Sequence, residues 1–461
     1  MSQISYIKYA DIKEARRYDA EYFKPEYLID DCSIEKKGFN FLHSIAEIKG
    51  GKRLPLGESF SNEGIPYIRA EDIKNGFVNS ENAPKISESL HKKLISYQTK
   101  RGDVLLTIVG SVGDVGIVAF DLKKCNLTEN ATRIFNTNEV NAETIFIFLL
   151  SRFGQNQICR EKVGTVQSKL AIARIRNFKI PRFSQSFQDQ IAEKTQQSYR
   201  KQTESKQLYR KAEELLLFEL GLLNYKVKNV LAFETTKKEI DEAGRYDSEY
   251  FQPKYEEIIK KIEKYEGGFD VVEKIVGWQK GYEVGAETYC ENGKGFARVS
   301  DFSIFGIEEP SKRIPEEIFD GLKDKFQPKK DEILFTKDGT IGVSCVLKDN
   351  FEGILSGAFL RLSPKEEYKT FEKECLSLIF NSLVCKMQIE KLSGGAIIAH
   401  LKPSDFELIK VPIIRADIQK QIAAKIQESH KLRKESKKLL EEAKRKVEEE
   451  IEKEYKKSSV S

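Results

Sequence analysis

The sequence predicts an α+β chain: two similar mixed α/β domains joined by two long antiparallel coiled-coil helices, the halves forming a pseudo-two-fold internal repeat. Three observations carry this expectation. An eleven-residue segment returns about 230 positions later with three changes. The first part of each copy breaks into short apolar runs of strand type, and the last part of each copy is a long proline-free stretch with apolar residues at helical spacing.

The repeat begins with Arg17-Tyr18-Asp19-Ala20-Glu21-Tyr22-Phe23-Lys24-Pro25-Glu26-Tyr27, which returns as Arg245-Tyr246-Asp247-Ser248-Glu249-Tyr250-Phe251-Gln252-Pro253-Lys254-Tyr255. The register continues: Tyr67-Ile68-Arg69 through Asp72 matches Phe296-Ala297-Arg298 through Asp301, and Leu105-Leu106-Thr107 matches Leu334-Phe335-Thr336. Gly110-Ser111-Val112-Gly113 matches Gly339-Thr340-Ile341-Gly342, and Arg133 matches Arg361. Each copy closes on Ile180-Pro181 or Val411-Pro412, followed by Gln188-Asp189-Gln190-Ile191-Ala192 or Gln419-Lys420-Gln421-Ile422-Ala423.

Strand-like runs fall at 65–68, 104–109 and 116–120, separated by Gly, Asn and Asp clusters. Helices are expected at 187–220 and 418–454. The second carries Ile418, Ile422, Ser429, Leu432, Ser436, Leu439, Ala443, Val447 and Ile451 near heptad spacing; the first carries a more polar stripe of Ile191, Ser198, Ser205, Leu208, Ala212, Leu215 and Leu220. The economical partner for one stripe is the other, and a helix of this length reaches on the order of 50 Å. The expected boundaries are a first domain at 1–181, a first spacer helix at 182–221, a second domain at 222–412 and a second spacer helix at 413–461.

Composition bounds the function classes. Of 461 residues 40% are hydrophobic, and no apolar run approaches the ~18 residues of a membrane span. Charges interrupt the N-terminal segment, which therefore lacks the core of a secretory signal, so a cytoplasmic location and no membrane partner are expected. The seven cysteines are scattered without a CxxC pair. A net charge of +5 permits a polyanionic partner without requiring one.

The two copies, each ending in Ile-Pro or Val-Pro and a Gln-x-x-Ile-Ala helix start, and each opening on Arg-Tyr-Asp-x-Glu-Tyr-Phe, resemble the specificity subunits of type I restriction-modification systems. Gly164-Thr165 with Gln167 and Lys169, and Gly394-Gly395 ahead of Leu401, resemble the glycine-containing loop before the exit strand in that family; Phe187 and Ile418 stand where the family often has Glu. The resemblance implies two target-recognition domains, each reading one half of a split site in double-stranded DNA. It also implies helices that set the spacer and dock two methyltransferase subunits, and it leaves room for ATP-dependent restriction subunits.

A DNA reader needs cations and amides along phosphates, and planar hydrogen-bonding side chains at base edges. Candidates in the first copy are Lys52 and Arg53 beside Gly50-Gly51, Gly110 and Ser111 in the glycine turn, and Gln167, Ser168 and Lys169. In the second they are Lys280, Tyr282, Lys337, Asp338, Gly394 and His400. Residues shared by two domains that read different sequences are scaffold, which demotes Arg69, Arg298, Arg133 and Arg361. Positions where the copies differ are better readers: Val109 against Asp338, and Gln167 and Lys169 against Ile398 and His400.

Catalytic classes find little support. The turn at Gly110–Gly116 lacks the Lys-Ser or Lys-Thr of a phosphate loop. None of the twelve prolines is adjacent to another, so the Asn/Asp-Pro-Pro-aromatic motif of adenine amino-methylation is missing. His43, His91, His400 and His430 form no metal-binding array, and His430 is expected to be solvated. The chain is therefore read as a non-catalytic subunit without cofactor or metal. The alternative is a coiled-coil scaffold joining two domains that bind ligands other than DNA.

Overall fold

The computed structural model describes residues 4–74, 76–78, 80–118, 120, 122, 124–164, 168–393 and 400–458. It divides into two compact units, Met1–Gln202 with Lys434–Ser461, and Thr203–Arg433. Both are mixed α/β, and each contains part of both long helices.

In the first unit a five-stranded sheet runs in the order 47–50, 131–135, 104–107, 115–117, 76–77. Its centre is the strand Val104–Thr107, all of whose residues are buried. Alternation sends Val104 and Leu106 into one core and Leu105 into another, so this strand is covered on both faces. A four-stranded sheet (85–86, 65–68, 125–127, 98–99) lies beyond the second core. The strand 39–41 pairs antiparallel with the exit strand 179–181. The larger core also takes the apolar helix Ala142–Leu150 and, from the long helices, Ile191, Ala443, Val447 and Ile451.

The second unit repeats this arrangement. Its four-stranded sheet runs 276–280, 359–364, 333–336, 344–346, and Ile333 and Phe335 enter one core while Leu334 enters another. A three-stranded sheet of 312–314, 294–297 and 353–355 stands where the first unit has four strands; the eleven-residue helix Glu316–Phe326 replaces the short Glu88–Lys93. The exit strand 410–412 pairs with 269–271.

The long helices span Gln185–Glu219 and Ala416–Ser458. In the first unit Lys194 pairs with Glu442 at 2.7 Å, and the Ser198 and Ser436 hydroxyls each donate to the other's carbonyl at 2.8 Å. In the second, Ser205 and Ser429 donate to each other's carbonyls at 2.7 and 2.8 Å. One helix rises as the other falls, so within each unit they are antiparallel. Ile191, Ser198, Ser205 and Ala212 follow one another at seven-residue steps and are fully buried, as are Ile422, Ser429, Ala443 and the near-fully buried Ser436. The expected Leu220 is buried, as is Leu216; Leu208, Leu215 and Leu439 are half-buried. Packing on the partner helix and packing on the domain core are not alternatives: Ala212, Leu216, Ile418 and Ile422 join the second unit's main core.

The glutamines of the two helix starts have a structural task. Gln188 is 2% exposed, donates to the carbonyls of Glu139 and Phe183, and accepts from the Asn141 amide. Gln419 repeats this with Ile414 and Glu372. Each satisfies otherwise orphaned backbone groups where the helix leaves its domain.

Candidate nucleic-acid interface

In each unit three loops are held together by the same backbone hydrogen bonds. The first follows the strand 47–50: the Gly51 amide donates to the Ala131 carbonyl at 3.0 Å and the Lys52 amide to Leu127 at 2.9 Å. Its counterpart has Gly281 donating to Phe359 at 3.0 Å and Tyr282 to Leu355 at 2.9 Å. Glycine is required here by proximity, since a Cβ on Gly51 would lie 2.0 Å from the Thr128 carbonyl oxygen, and one on Gly281 2.1 Å from that of Ser356. Gly50-Gly51 beside Lys52 and Arg53 therefore do not make a flexible loop: the segment is pressed against its neighbour.

The second loop follows the central strand. Thr107 ends it because its hydroxyl latches the turn, donating to the Ser111 carbonyl and accepting from the Asp114 amide at 2.9 Å. Thr336 does the same, donating to Thr340 at 2.6 Å and accepting from Val343 at 3.0 Å. The strand expected to continue to Val109 therefore stops at Thr107. The third loop precedes the exit strand and is tied to the second: the Leu170 amide donates to Ile108, and that of Leu401 to Lys337, both at 3.0 Å. The second loop is tied in turn to the strand beside the first, since the Ile108 amide donates to Asn130 and that of Lys337 to Ala358, both at 2.8 Å.

On this frame the side chains differ. Lys52 is exposed, and Tyr67 donates its hydroxyl to the Lys52 carbonyl. Arg53 is also exposed, but its guanidinium meets Glu129 at 2.6 Å, which raises its pKa and offsets its charge. Gly110 and Ser111 are exposed, with Gly110 at φ +85°. Lys169 is exposed and bridges Val109 and Val163 through its backbone, while the Ser168 hydroxyl turns back to Gly164 at 3.5 Å. Gln167 lies outside the described residues, as do Thr165, Gly394, Gly395 and Ile398.

The second unit carries a chain of charges. Lys337 is 8% exposed and pairs with Asp338, which also accepts from the His400 imidazole at 2.8 Å. Burial alone would raise the Asp338 pKa; hydrogen bonds from Lys337 and His400 outweigh it and hold the carboxyl below its usual range. Lys337 is thus an internal counter-ion, which corrects its expected place at the DNA surface, whereas His400 is well exposed. Lys280 is exposed, and Tyr282 leans on Phe326 with ring centroids 4.8 Å apart.

The arginines common to both copies serve the scaffold. Arg69 and Arg298 pair with Asp72 and Asp301. Arg133 bonds the Gln98 carbonyl and lies 3.5 Å from Asp103; Arg361 makes a bidentate pair with Glu332 at 2.7 and 2.8 Å. Sequence reasoning missed Glu129 and the two threonine latches. The threonines had a signal in the repeat, Thr107 against Thr336; Glu129 had none, because it acts across 76 residues.

His430 is half-buried rather than solvated. Burial first, then the nearby Lys348, lowers its pKa to about 4 against a raising contribution from Glu374. Its ring lies 5.7 Å from that of Phe305. Among the described residues no group of three or more His, Cys, Asp or Glu is placed to hold a metal ion, and no helix is long and apolar enough to cross a membrane.

A family model described as the type I restriction modification DNA specificity domain matches residues 35–215 and 287–445, more than half of the chain. The type I restriction enzyme EcoBI specificity subunit of Escherichia coli is 26% identical over 138 residues; the match spans 30% of this chain and 29% of that one. Among solved structures, the S subunit of a type I restriction-modification system from M. genitalium aligns over 90% of this chain and 95% of its own at 15% identity and a TM-score of 0.41. The HsdS subunit from Thermoanaerobacter tengcongensis aligns over 90% and 95% at 14% identity and a TM-score of 0.28. At these scores the superpositions carry no weight beside the family model.

Proposed function

We propose, since the chain belongs to the family of type I restriction modification DNA specificity domains, that each unit reads one half of a bipartite DNA site. The long helices set the gap between the halves and dock two methyltransferase subunits. The observation that carries this reading is the shared three-loop frame bearing unlike exposed side chains: Lys52, Ser111 and Lys169 in one unit, Tyr282, Thr340 and His400 in the other. A common frame with a variable face suits two readers of different sequences. Gln167 and Gly394 belong to this proposed surface by sequence position. Methyl transfer is assigned to the partner, because this chain lacks adjacent prolines and hence the adenine amino-methylation motif.

Selection from a randomised DNA pool, followed by sequencing, tests the reading. Enrichment of two short sequences at a fixed gap is expected; a pool without a split motif would count against it and favour the scaffold alternative. The gap is tested separately by adding one heptad after Gln202 and another after Arg433. These insertions keep every described layer in phase and lengthen both helices by about 10 Å, on the order of three base pairs. Both half-site sequences should persist with a longer gap, and an unchanged gap would show that the helices are not the ruler.

A further inference from the structure

The strongest likeness between the two copies lies where packing does not demand it. Residues 9–24 and 237–252 are mostly exposed, yet they share a shape. A short helix, Tyr9–Ala15 or Lys237–Ala243, is stopped by a left-handed residue, Arg16 at φ 51° or Gly244 at φ 58°. Arg17 then clamps Asp19 with two bonds of 2.6 Å, and Arg245 clamps Asp247 at 2.7 Å. Each guanidinium also lies over the tyrosine ring five residues on, 4.8 Å from Tyr22 and 5.0 Å from Tyr250. The edge-to-face pairs Tyr22–Phe23 and Tyr250–Phe251 both have centroids 4.9 Å apart.

A clamp between residues i and i+2 turns the residue between them outward. That residue is Tyr18 in one copy and Tyr246 in the other, exposed by 83% and 86%. Neither ring has a hydrogen bond or ring partner among the described residues. Partly exposed side chains that the copies share elsewhere, such as Arg69 and Arg298, have partners within the chain, so sameness at a large aromatic side chain without a hydrogen bond or ring partner points to something outside it. The helices at 152–161 and 383–392 carry the motif alike: the Arg160 guanidinium lies 4.3 Å from the Tyr22 ring, and the Lys391 ammonium 4.9 Å from the Tyr250 ring.

We propose that the Tyr18 and Tyr246 faces are two equivalent docking points for one kind of protein partner bound twice, and that this partner is the methyltransferase subunit. The identification of the partner rests on the reading under Proposed function. Base readout would make the copies diverge rather than agree. A phosphate contact would need excess cations, whereas basic and acidic residues are equal in number over 8–26 and acidic ones are in slight excess over 237–255. An outward tyrosine on a fixed turn has the character of an interface anchor, with large area and little entropy to lose.

The test uses the full chain co-expressed with its methyltransferase subunit, with stoichiometry read by native mass spectrometry and affinity by titration. Wild type should carry two methyltransferase subunits. Tyr18→Ala and Tyr246→Ala should each weaken one of the two sites about tenfold or more, and the double variant both, with the melting curve of the chain unchanged. Tyr18→Phe, which keeps the ring, should retain both subunits. A double variant that holds two subunits with wild-type affinity overturns the proposal, as does one that assembles normally but binds DNA less well. A wild-type chain that carries no methyltransferase overturns the functional reading itself.

Discussion

The turn after the central strand is uncharged in the first unit, Ile108-Val109-Gly110, and in the second it is Lys337-Asp338-Gly339 with His400 bonded to it. Thr107 and Thr336 latch both turns in one way, and Gly51 and Gly281 are both trapped against a carbonyl. The same contrast recurs where each domain meets its helices. In the first unit Tyr199 packs edge-on against Phe77 and Phe120, at 5.0 and 5.2 Å. At the equivalent position the second unit places His430 against Phe305, with the Arg433 guanidinium 5.2 Å from the same ring. The difference teaches that backbone hydrogen bonds and small residues carry the fold of this chain twice over, leaving the side chains at equivalent positions free to take different chemistry.

The largest test of this contrast lies in the scaffold arginines. Arg361 is 5% exposed and bidentate with Glu332, so Arg361→Ala leaves a carboxylate without its counter-ion and should destabilise the second unit by about 3 to 5 kcal/mol. Arg133→Ala should cost the first unit less, on the order of 1 to 3 kcal/mol. Burial, opposed by the Lys100 amide and Arg133, already raises the pKa of Asp103, which can take up a proton when Arg133 is lost. Denaturant dependence of hydrogen exchange at 333–336 and 104–107 reads the units separately, and equal losses would dissolve the distinction.

Acid should separate the units next. The folded pKa of His430 is lowered from 6.5 to about 4, so between those values the unfolded chain binds a proton that the folded chain refuses. The contribution of this residue is complete above pH 6.5 and is lost as pH falls towards 4, by about 3 kcal/mol in all. His430→Phe should flatten that part of the stability profile of the second unit. If wild type and variant lose stability in parallel over this range, His430 is not the sensor.

The smallest effect distinguishes the first loops. Lys52 and Tyr282 occupy one backbone position in the two frames. Lys52→Ala should lower the salt dependence of DNA binding by about one unit, Arg53→Ala by less because Glu129 already offsets its charge, and Tyr282→Ala hardly at all. Equal slopes for the Lys52 and Arg53 variants would mean that the Arg53–Glu129 pair opens on DNA.

Much of this molecule was legible in one dimension. The repeat set two like units, the heptad positions Ile191, Ser198, Ser205 and Ala212 set the buried face of the first long helix, and the apolar run from Val104 set a strand. These features depend on neighbours along the chain, and periodicity records neighbours. Tertiary structure alone decided that Lys337 is an internal counter-ion, that Arg53 is paired with Glu129, and that His430, set among lysines in the sequence, is half-buried against Phe305. In each case the deciding partner or burial comes from the folded surroundings, and the same charged residue is a surface cation or a structural ion according to what the fold brings beside it.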